Sequence, residues 1–577
     1  MDTYVFRMLE ALGKCAEQIL FVANGDLQER CYKELLRRHI LVIKRENAGL
    51  DAGAYRAGML HSGWKKLSEY DEVLLVNNSV MGPVYPLDEV FSKMDAKEVD
   101  FWGLTRHAEK FEKDVKNEYG YFPEHIQFYF IAFRNSFVKS YEFQFYWNNL
   151  PEMTEYWEVV HRHEVVFTKY FSDMGFTWDV YLHTEKMDYL SENLMILYPK
   201  LLLEKFRCPV FKRRVFYHNY GALLCFSVGQ HALELYNYLE QECRYDMDTI
   251  WDNLLRTCNL SDLFENLHLD YILSGEFSHR EMVRDVLKTK RTALIVHLYF
   301  LDLLDDVWKY VSHLPDLCDI YITVNSEEMK RVVEQKCRDF PCAYLEIRKI
   351  PNRGRDVASI LVGVSDIVAQ YEYLCFCHDK KSFQVSGSVG EGFNYKCFEN
   401  TLYSEDYIYN VIETFEKNPR LGILCPPEPN HADYSVTLGF SWGWKNYQLT
   451  KDLADELGIR VPMDPDKDAV APFGSFFWFR YDALKKFYEK DWKYEDFPEE
   501  PLPPDNTISH AIERLRPFVA QQAGYYTAYV MSDQYARIEY TNLRTGLKDF
   551  NRACFENGCL GSHRGCVEMV GNLIAKK

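Results

Sequence analysis

Short apolar runs alternate along the chain with longer segments in which apolar residues recur at helical spacing. The segment 4–18 has this helical spacing, and the apolar run 19–24 that follows is typical of a buried parallel strand. The segments 302–313 and 319–325 repeat the pair. Because strands separated by helices favour parallel pairing, the pattern predicts an α/β fold with mostly parallel sheets and helices on both faces.

The motif Asn-x-Gly-x-Asp occurs twice, at residues 47–51 and 352–356, each time just after a strand-like run. Three further features follow each copy in the same order: an apolar run ending in a polar loop (74–79; 373–382), an aromatic strand ending in Phe-Arg (129–134; 476–480), and a helix carrying Glu that ends at Gly-aromatic (164–176; 513–525). One short motif is a weak signal, but four matches in one order indicate an internal repeat. The sequence therefore predicts two copies of one α/β domain.

The repeat divides the 577 residues into two domains and a connector. We predict a first domain over 1–205, a helical connector over 206–285, a second domain over 286–560 and a tail over 561–577. The strand-like run 293–299 of the second copy has no counterpart within the first. We therefore expect the first domain to lack its first strand and to be impaired in donor binding.

The two motifs are candidate ligand-binding loops, because parallel sheets bind ligands at the carboxyl ends of their strands. Glycine lets the backbone approach a ligand closely, and Asn and Asp side chains hydrogen-bond bases or sugar hydroxyls. The alternative is a plain turn followed by a helix cap. The recurrence of the motif at the same place in both copies favours the ligand-binding interpretation.

Composition restricts the partners. The chain has 67 basic and 86 acidic residues, a net charge of −19, which argues against nucleic acid binding and against general attraction to an anionic membrane. The 16 cysteines follow no disulfide or metal-binding spacing, as expected for a reducing compartment. We find no secretion signal and no apolar run of about 18 residues, and so expect a cytoplasmic protein with at most peripheral membrane contact.

These features resemble the rhamnan synthesis protein F family of glycosyltransferases, and the resemblance covers nearly the whole chain. The matching segments are 46–51, 55–59, 77–79, 82–83, 100–105 and 125–127 in the first copy, and 352–356, 378–382, 474–478, 505 and 510–515 in the second. The resemblance implies tandem domains of the GT-A (nucleotide-diphospho-sugar transferase) type. It further implies a dTDP-L-rhamnose donor, a lipid-linked glycan acceptor, and a place among other enzymes that assemble a bacterial surface polysaccharide.

Sugar transfer needs a nucleotide cradle and stabilisation of the departing diphosphate. Many GT-A enzymes hold Mg²⁺ or Mn²⁺ with Asp-x-Asp, but the corresponding loops here read Asn77-Asn78-Ser79 and His378-Asp379-Lys380-Lys381. In the second loop Asp379 is a candidate metal ligand, while the lysines offer direct neutralisation of the diphosphate. The alternative is a surface charge cluster. The predicted nucleotide-sugar-binding residues are Asn352, Gly354, Arg355, Asp356, His378, Asp379, Lys380 and Lys381, with Asn47, Gly49, Asp51, Asn77 and Asn78 in the first copy.

An inverting transfer also needs a carboxylate that deprotonates the acceptor hydroxyl. The candidates are Glu513, Asp505 just upstream of it, and Glu164 at the position in the first copy that matches Glu513; each has the alternative of a helix cap or a solvated charge. The resemblance implies acceptor contacts at His125, Gln127, Trp478 and His510.

We expect the second copy to be the working transferase, since it has the full strand set, the basic loop and two candidate bases. The alternatives are a different nucleotide-sugar donor, or a non-catalytic module that binds or assembles glycans.

Overall fold

The computed structural model describes residues 1–111, 115–381, 386–432, 434–435, 441–443, 445–503 and 505–556. The chain forms two compact units: 1–218 with 228–253, and 219–227 with the chain from 254 onward. The predicted domain boundaries at 205 and 286 stay predictions, and the tail 561–577 lies outside the described residues. None of the described helices combines the length and apolar composition that a membrane span requires.

The second unit is built on one eight-stranded sheet. Its strands are β11 (Asp270–Leu273), β12 (Thr292–Leu298), β13 (Asp319–Val324), β14 (Tyr344–Lys349), β15 (Tyr373–His378), β16 (Leu421–Cys425), β19 (Phe477–Arg480) and β20 (Tyr526–Ser532), with β17 (Asn430–His431) and β18 (Tyr434–Ser435) as a separate pair. The order in the sheet is β11-β20-β16-β19-β15-β12-β13-β14, and only β19 runs antiparallel to its neighbours. The predicted α/β class with a mostly parallel sheet is confirmed.

The helices from residue 220 onward precede, connect or follow these strands. They are α12 (Tyr220–Leu223), α13 (His231–Asn237), α14 (Met247–Thr257), α15 (Leu260–Leu267), α16 (Arg280–Thr289), α17 (Leu304–Val311), α18 (Glu327–Lys336), α19 (Arg355–Ala358), α20 (Gly387–Glu399), α21 (Glu405–Lys417), α22 (Asn446–Glu456), α23 (Tyr481–Glu489), α24 (Ile508–Gln522) and α25 (Asp533–Glu556). Strands β12, β13 and β15 are buried at every position, as expected for a sheet covered on both faces.

The first unit repeats the strand order but divides its sheet. Its strands are β1 (Leu20–Asn24), β2 (Leu41–Arg45), β3 (Glu72–Val76), β4 (Val80–Met81), β5 (Phe101–Gly103), β6 (Arg106–His107), β7 (His125–Ile126), β8 (Phe130–Arg134), β9 (Trp178–Val180) and β10 (Phe211–Lys212). Strands β1 and β2 form a parallel pair, and a separate sheet has the order β3-β8-β5-β9. In the second unit β12 lies between the counterparts of β1 and β3; in the first unit no strand of the described residues joins the two. Both β1 and β3 are consequently only partly buried.

Helices α1 (Thr3–Leu12), α2 (Glu29–Arg37), α3 (Leu50–Ser62), α4 (Trp64–Leu67), α5 (Leu87–Asp95), α6 (Asn135–Lys139), α7 (Tyr141–Asn149), α8 (Tyr156–Val159), α9 (Val165–Asp173), α10 (Leu194–Leu197) and α11 (Pro199–Phe206) complete the first unit. Its core is aromatic: Phe133, Phe137, Phe143 and Phe167 are fully buried, and Phe133 packs edge to face against Phe137 and Phe143. A π-helical turn, Val160–Glu164, precedes α9 and places Glu164 at the end of the sheet.

Candidate active site

The two Asn-x-Gly-x-Asp loops have the same backbone conformation. Gly49 and Leu50 have φ values of 74° and 48°, and Gly354 and Arg355 have 77° and 49°. Two successive residues in the left-handed region, the second of them not glycine, are strained, and such strain is concentrated at functional sites. The shared geometry supports the interpretation of the two loops as one repeated structure.

Packing inside the protein, and not the close approach of a ligand that we expected, explains why the second motif has a glycine at position 354. A Cβ on Gly354 would lie 2.5 Å from the Ala358 Cβ and 2.6 Å from the Phe497 ring. Arg355, another predicted ligand-binding residue, donates two hydrogen bonds to Glu500, at 2.7 and 3.0 Å. These residues therefore shape and brace the loop. The two motif asparagines, Asn47 and Asn352, are exposed at the start of their loops.

Asp356 directs its carboxylate into a group of polar side chains at the carboxyl end of β15. Burial alone would raise the pKa of Asp356, but that pKa lies below the ordinary value because its neighbours favour the carboxylate. In order of effect these neighbours are His378, the Ser475 hydroxyl, Arg516 and Lys380. Residues from three separate parts of the second unit thus meet around one carboxylate.

His378 is buried and fixed at both ring nitrogens. Its Nδ1 lies 2.7 Å from the Asp379 carbonyl oxygen and its Nε2 lies 2.8 Å from the Gly474 carbonyl oxygen. Since carbonyl oxygens only accept hydrogen bonds, both contacts form together only when the ring carries two protons. His378 is thus fixed beside Asp356, and it favours the charged form of that carboxylate.

Glu513 on α24 faces the same group. Its Oε2 accepts a 2.8 Å hydrogen bond from the amide of Gly474, the same residue whose carbonyl oxygen contacts His378. Arg516, one turn further along α24, donates to the Ser475 hydroxyl at 3.1 Å, and its charge interacts with Asp356 and Glu513. Arg516 is 2% exposed, and its Nη2 has no hydrogen-bond partner among the described residues. The result is a pair of carboxylates with a buried cation between them.

The three charged residues of the loop after β15, Asp379, Lys380 and Lys381, have different contacts. The Asp379 Oδ2 accepts hydrogen bonds from the Tyr299 and Phe300 amides at 2.8 and 2.5 Å, and burial raises the pKa of Asp379 to about 6. Lys381 pairs with Asp302. Lys380 remains beside the site, since its Nζ lies 3.7 Å from the position of a Cβ on Gly474 and its charge acts on Asp356.

The predicted metal contact at Asp379 has little support from the surrounding side chains. No group of three or more His, Cys, Asp or Glu side chains in the described part of the chain has the arrangement of a metal site. One oxygen of Asp379 is occupied by two backbone amides, and the next residue is a lysine. These donors do not fit a metal held by the protein alone.

The corresponding place in the first unit holds Asp51, Asn77 and Glu164. The Asp51 Oδ2 accepts a hydrogen bond from the Asn77 Nδ2 at 2.9 Å, and the Asn77 Oδ1 accepts one from the Ser79 hydroxyl at 2.6 Å. The Glu164 Oε1 accepts a hydrogen bond from the Phe128 amide at 3.2 Å, as Glu513 does from Gly474. Asn78 is exposed, and its carbonyl accepts a hydrogen bond from Tyr4.

Three of the predicted acceptor-contacting residues, His125, Gln127 and Trp478, are buried, and their acceptor contacts stay predictions. Trp478 is fully buried in β19 and donates to the Thr401 carbonyl at 2.9 Å. His125 is 3% exposed and stacks on His107, and burial lowers its pKa to about 3. Gln127 accepts a hydrogen bond from Thr105 in the interior. Each lies on or beside a strand whose both faces are covered.

His510 and Asp505 lie together at the start of α24. His510 Nδ1 contacts the Thr507 hydroxyl at 2.8 Å, and its Nε2 lies 3.9 Å from the Asp505 carboxylate. Burial alone would raise the pKa of Asp505, but the Asn446 hydrogen bond and neighbouring donors and charges leave it below the ordinary value. Asp505 is therefore a weaker candidate base than its position suggested.

Sequence reasoning missed three residues of these sites: Ser475, Arg516 and, in the first unit, Lys212, whose Nζ donates to the Ser79 hydroxyl at 2.9 Å. The first has a positive φ of 58° within Gly474-Ser475-Phe476, a signal that is visible only in the backbone. Arg516 was detectable as the residue one turn after the predicted base. Lys212 follows the last feature of the first copy by more than thirty residues, so the repeat gave no indication of it.

The fold and these sites define an α/β protein with a repeated arrangement of two carboxylates and a cation at strand ends. The chain belongs to the rhamnan synthesis protein F family, whose family model matches residues 19–525. The resemblance seen in the sequence is thereby confirmed.

Individual relatives are distant. The chain is 25% identical over 236 residues to the uncharacterized protein WxcX of Xanthomonas campestris pv. campestris (strain B100), which covers 40% of this chain and 32% of that protein. It is 27% identical over 173 residues to the uncharacterized protein y4gN of Sinorhizobium fredii (strain NBRC 101917 / NGR234), covering 30% of this chain and 43% of that one. The matches thus span about a third to two fifths of these relatives' lengths.

A solved structure, mannosyltransferase PcManGT from Pyrobaculum calidifontis in complex with GDP-Man and Mn2+, is 11% identical and matches 54% of this chain and 66% of that one. Its TM-score of 0.26 is too low to support an inference.

Proposed function

We propose that the protein is an inverting glycosyltransferase that moves L-rhamnose from dTDP-L-rhamnose to a growing lipid-linked surface polysaccharide. The observation that carries the proposal is the meeting of Asp356, Glu513 and Lys380 at the carboxyl end of β15. Membership of the rhamnan synthesis family supports the reaction class and the sugar. The second unit performs the transfer.

Glu513 acts as the base in this proposal. The acceptor hydroxyl oxygen attacks the anomeric carbon of the donor, the bond from that carbon to the diphosphate oxygen breaks, and the hydroxyl proton passes to the Glu513 carboxylate. The electron pair of the broken bond leaves with the diphosphate. Lys380, which makes no ion pair with any described carboxylate, stabilises that negative charge.

Asp356, His378 and Arg516 are positioning residues. The hydrogen bonds of His378 to the Gly474 carbonyl and of the Gly474 amide to Glu513 hold both side chains to one residue, beside the Asp356 carboxylate. Such preorganisation is effective because the charges do not need to reorient during the reaction. Asp356 then has its carboxylate available for hydroxyl groups of the bound sugar.

A peripheral contact with the membrane surface fits a lipid-linked acceptor. Helix α25 exposes an apolar stripe at helical spacing, formed by Tyr540, Leu543, Leu547 and Phe550, which are 41% to 66% exposed. The segment 540–552 carries three basic residues and one acidic residue, in a chain whose net charge is −19. An apolar stripe flanked by basic side chains matches an anionic phospholipid surface at the cytoplasmic face.

A panel of nucleotides tests the donor assignment. A ligand present at a hundredfold its dissociation constant stabilises the folded protein by about 2.7 kcal/mol. We expect thermal stabilisation by dTDP and dTDP-L-rhamnose, loss of that effect in Asp356→Ala, and release of dTDP when a rhamnan acceptor is added. Stabilisation by GDP or UDP compounds instead would support a different nucleotide-sugar donor. No response to any nucleotide would support a non-catalytic glycan-binding or assembly module.

A further inference from the structure

The first unit contains a polar cluster that the proposed transfer in the second unit does not use. We define the Lys212 cluster as Asp51, Asn77, Ser79, Glu164 and Lys212, all at the strand ends of the first unit. Lys212 enters this place from β10, which pairs antiparallel with β4 just after the Asn77 loop. The remaining groups are the direct counterparts of the site in the second unit.

Lys212 is held at the centre of the cluster. Its Nζ donates to the Ser79 hydroxyl at 2.9 Å and lies 4.0 Å from the centre of the Tyr129 ring. Burial lowers the pKa of Lys212 to about 8, while the charges of Glu164 and Asp51 favour the ammonium form and Arg214 opposes it. Conversely, burial raises the pKa of Glu164, and Lys212 partly offsets this effect.

The cluster repeats the two carboxylates and the buried cation of the second unit, but the cation comes from a different part of the fold. In the second unit the buried cation is Arg516, on the same helix as Glu513. In the first unit the residue one turn after Glu164 is Phe167, and the cation comes from β10 instead. Burying a cation is costly unless it serves a purpose, and packing alone would be better achieved with an apolar residue. The same charge set built by two routes indicates a ligand in the first unit too.

The chemistry of this ligand differs from that of a nucleotide diphosphate. The position of Lys380 is occupied by Ser79, so the loop has no positive charge for a phosphate. Two carboxylates and the two cations Lys212 and Arg214 leave the site close to neutral. Carboxylate, amide, hydroxyl and ammonium groups in one place are complementary to the hydroxyl groups of a sugar, each of which both donates and accepts hydrogen bonds.

An aromatic side chain borders the cluster. Tyr156, at the start of α8, is 52% exposed, and its hydroxyl lies close to Glu164, Arg214 and Asp51. The exposed ring gives the apolar face on which a sugar ring packs, with polar groups at one edge. The exposed Tyr156 ring beside the polar groups of the cluster fits a chain of sugars that extends along the surface.

We propose that the Lys212 cluster is a second carbohydrate site that binds a neutral stretch of the acceptor glycan. The identity of the glycan rests on the proposed function; the existence of a neutral sugar site does not. Lys212 and Glu164 contact sugar hydroxyls, and Tyr156 stacks on a sugar ring. A site of this kind retains the growing chain between successive transfers.

Binding of neutral trisaccharides of rhamnose, mannose and glucose to the full chain, without donor, tests the proposal by saturation-transfer NMR and titration calorimetry. We expect at least one trisaccharide to bind, and Lys212→Met and Glu164→Gln each to weaken it at least tenfold. Lys205→Met is the matched control, because Lys205 is 63% exposed in the same unit and pairs only with its neighbour Glu204. Glu164→Gln keeps an acceptor for the hydrogen bond from the Phe128 amide. This variant therefore still tests the site if Lys212→Met does not fold.

The outcomes separate this site from the transferase. Unchanged stabilisation by dTDP in the two variants supports a separate sugar site; loss of it in Lys212→Met would identify a nucleotide site and overturn the proposal. Absence of trisaccharide binding by the unmodified protein, or unaltered binding by both folded variants, would also overturn it. A protein that binds the trisaccharide but transfers no sugar would contradict only the proposed function.

Discussion

Replacing Glu513 with Gln separates catalysis from structure in the second unit. The Glu513 Oε2 accepts its hydrogen bond from the Gly474 amide at 2.8 Å, and a Gln carbonyl accepts the same bond without the charge. Exchange of a charge-assisted bond for a neutral one costs about 1 kcal/mol. For a unit of this size we expect a fall in Tm of no more than about 4 °C.

The effect on transfer is much larger, because Gln cannot take the acceptor proton. Positioned general bases contribute a factor of about 10² to 10⁴ to the rate, which corresponds to about 2.7 to 5.5 kcal/mol of transition-state stabilisation. We therefore expect Glu513→Gln to lower kcat by at least about a hundredfold while dTDP still stabilises the protein. Release of dTDP in the presence of donor and acceptor measures kcat, and a thermal melt of the same sample measures the fold.

Glu164→Gln is the same chemical change in the first unit. Glu164 accepts its hydrogen bond from the Phe128 amide in the way that Glu513 does from Gly474. We expect this variant to raise KM for a long acceptor and to leave kcat within about threefold of the original. A collapse of kcat in Glu164→Gln, with near-normal turnover in Glu513→Gln, would assign the chemistry to the first unit and refute the reasoning.

Three further outcomes follow from the charges and surfaces described above. Transfer should persist in excess chelator and fall at least about tenfold in Lys380→Met, because the lysine neutralises the diphosphate; complete loss on chelation, restored by Mg²⁺, would instead make Asp379 a metal ligand. Vesicles containing anionic phospholipid should retain the protein, and Leu543→Glu with Leu547→Glu should reduce the bound fraction at least about tenfold. The double change Thr541→Glu with Thr545→Glu adds the same charge on another side of α25, and equal loss there would show that charge alone, not the apolar stripe, is responsible. Glycan affinity should be full below pH 8 and fall as the pH rises above it, since the pKa of Lys212 is about 8 and the ammonium is the binding form; affinity that is flat from pH 7 to 9.5 would contradict this role.

The internal repeat made the fold predictable from the sequence. Alternating strands and helices predicted the parallel sheet, and the second Asn-x-Gly-x-Asp motif located the strand end where Asp356 lies. The reason for the motif glycine was not predictable, because Phe497 approaches Gly354 from a distant part of the chain. Periodicity specifies which face of an element is apolar, but not which partner covers that face.

The correspondence between the cations of the two sites also could not be predicted from the sequence, because each cation reaches its site from a different part of the fold. Arg516 and Lys212 perform equivalent electrostatic roles from a helix and from a strand, so no alignment of the two copies pairs them.

The burial of Trp478 was also not predictable. In the sequence Trp478 is an aromatic residue next to a candidate site, but the structure buries it completely. Exposure within a strand depends on what covers both of its faces, and this is a property of the tertiary structure.

The divided sheet of the first unit explains why Asn78 stands where the second unit has Asp379. In the second unit the chain leaving β12 presents the Tyr299 and Phe300 amides to the Asp379 carboxylate and so fixes the loop that carries Lys380. No strand of the described residues occupies the place of β12 in the first unit, where a buried carboxylate would lack such donors. Asn78 at that position is exposed, and the loop is fixed instead by the bonds of Asn77 to its neighbours. This loop carries no lysine of its own for a diphosphate, but it remains suited to a sugar. The division between a donor site in the second unit and a glycan site in the first is therefore consistent with the gap between β1 and β3, where no described strand corresponds to β12.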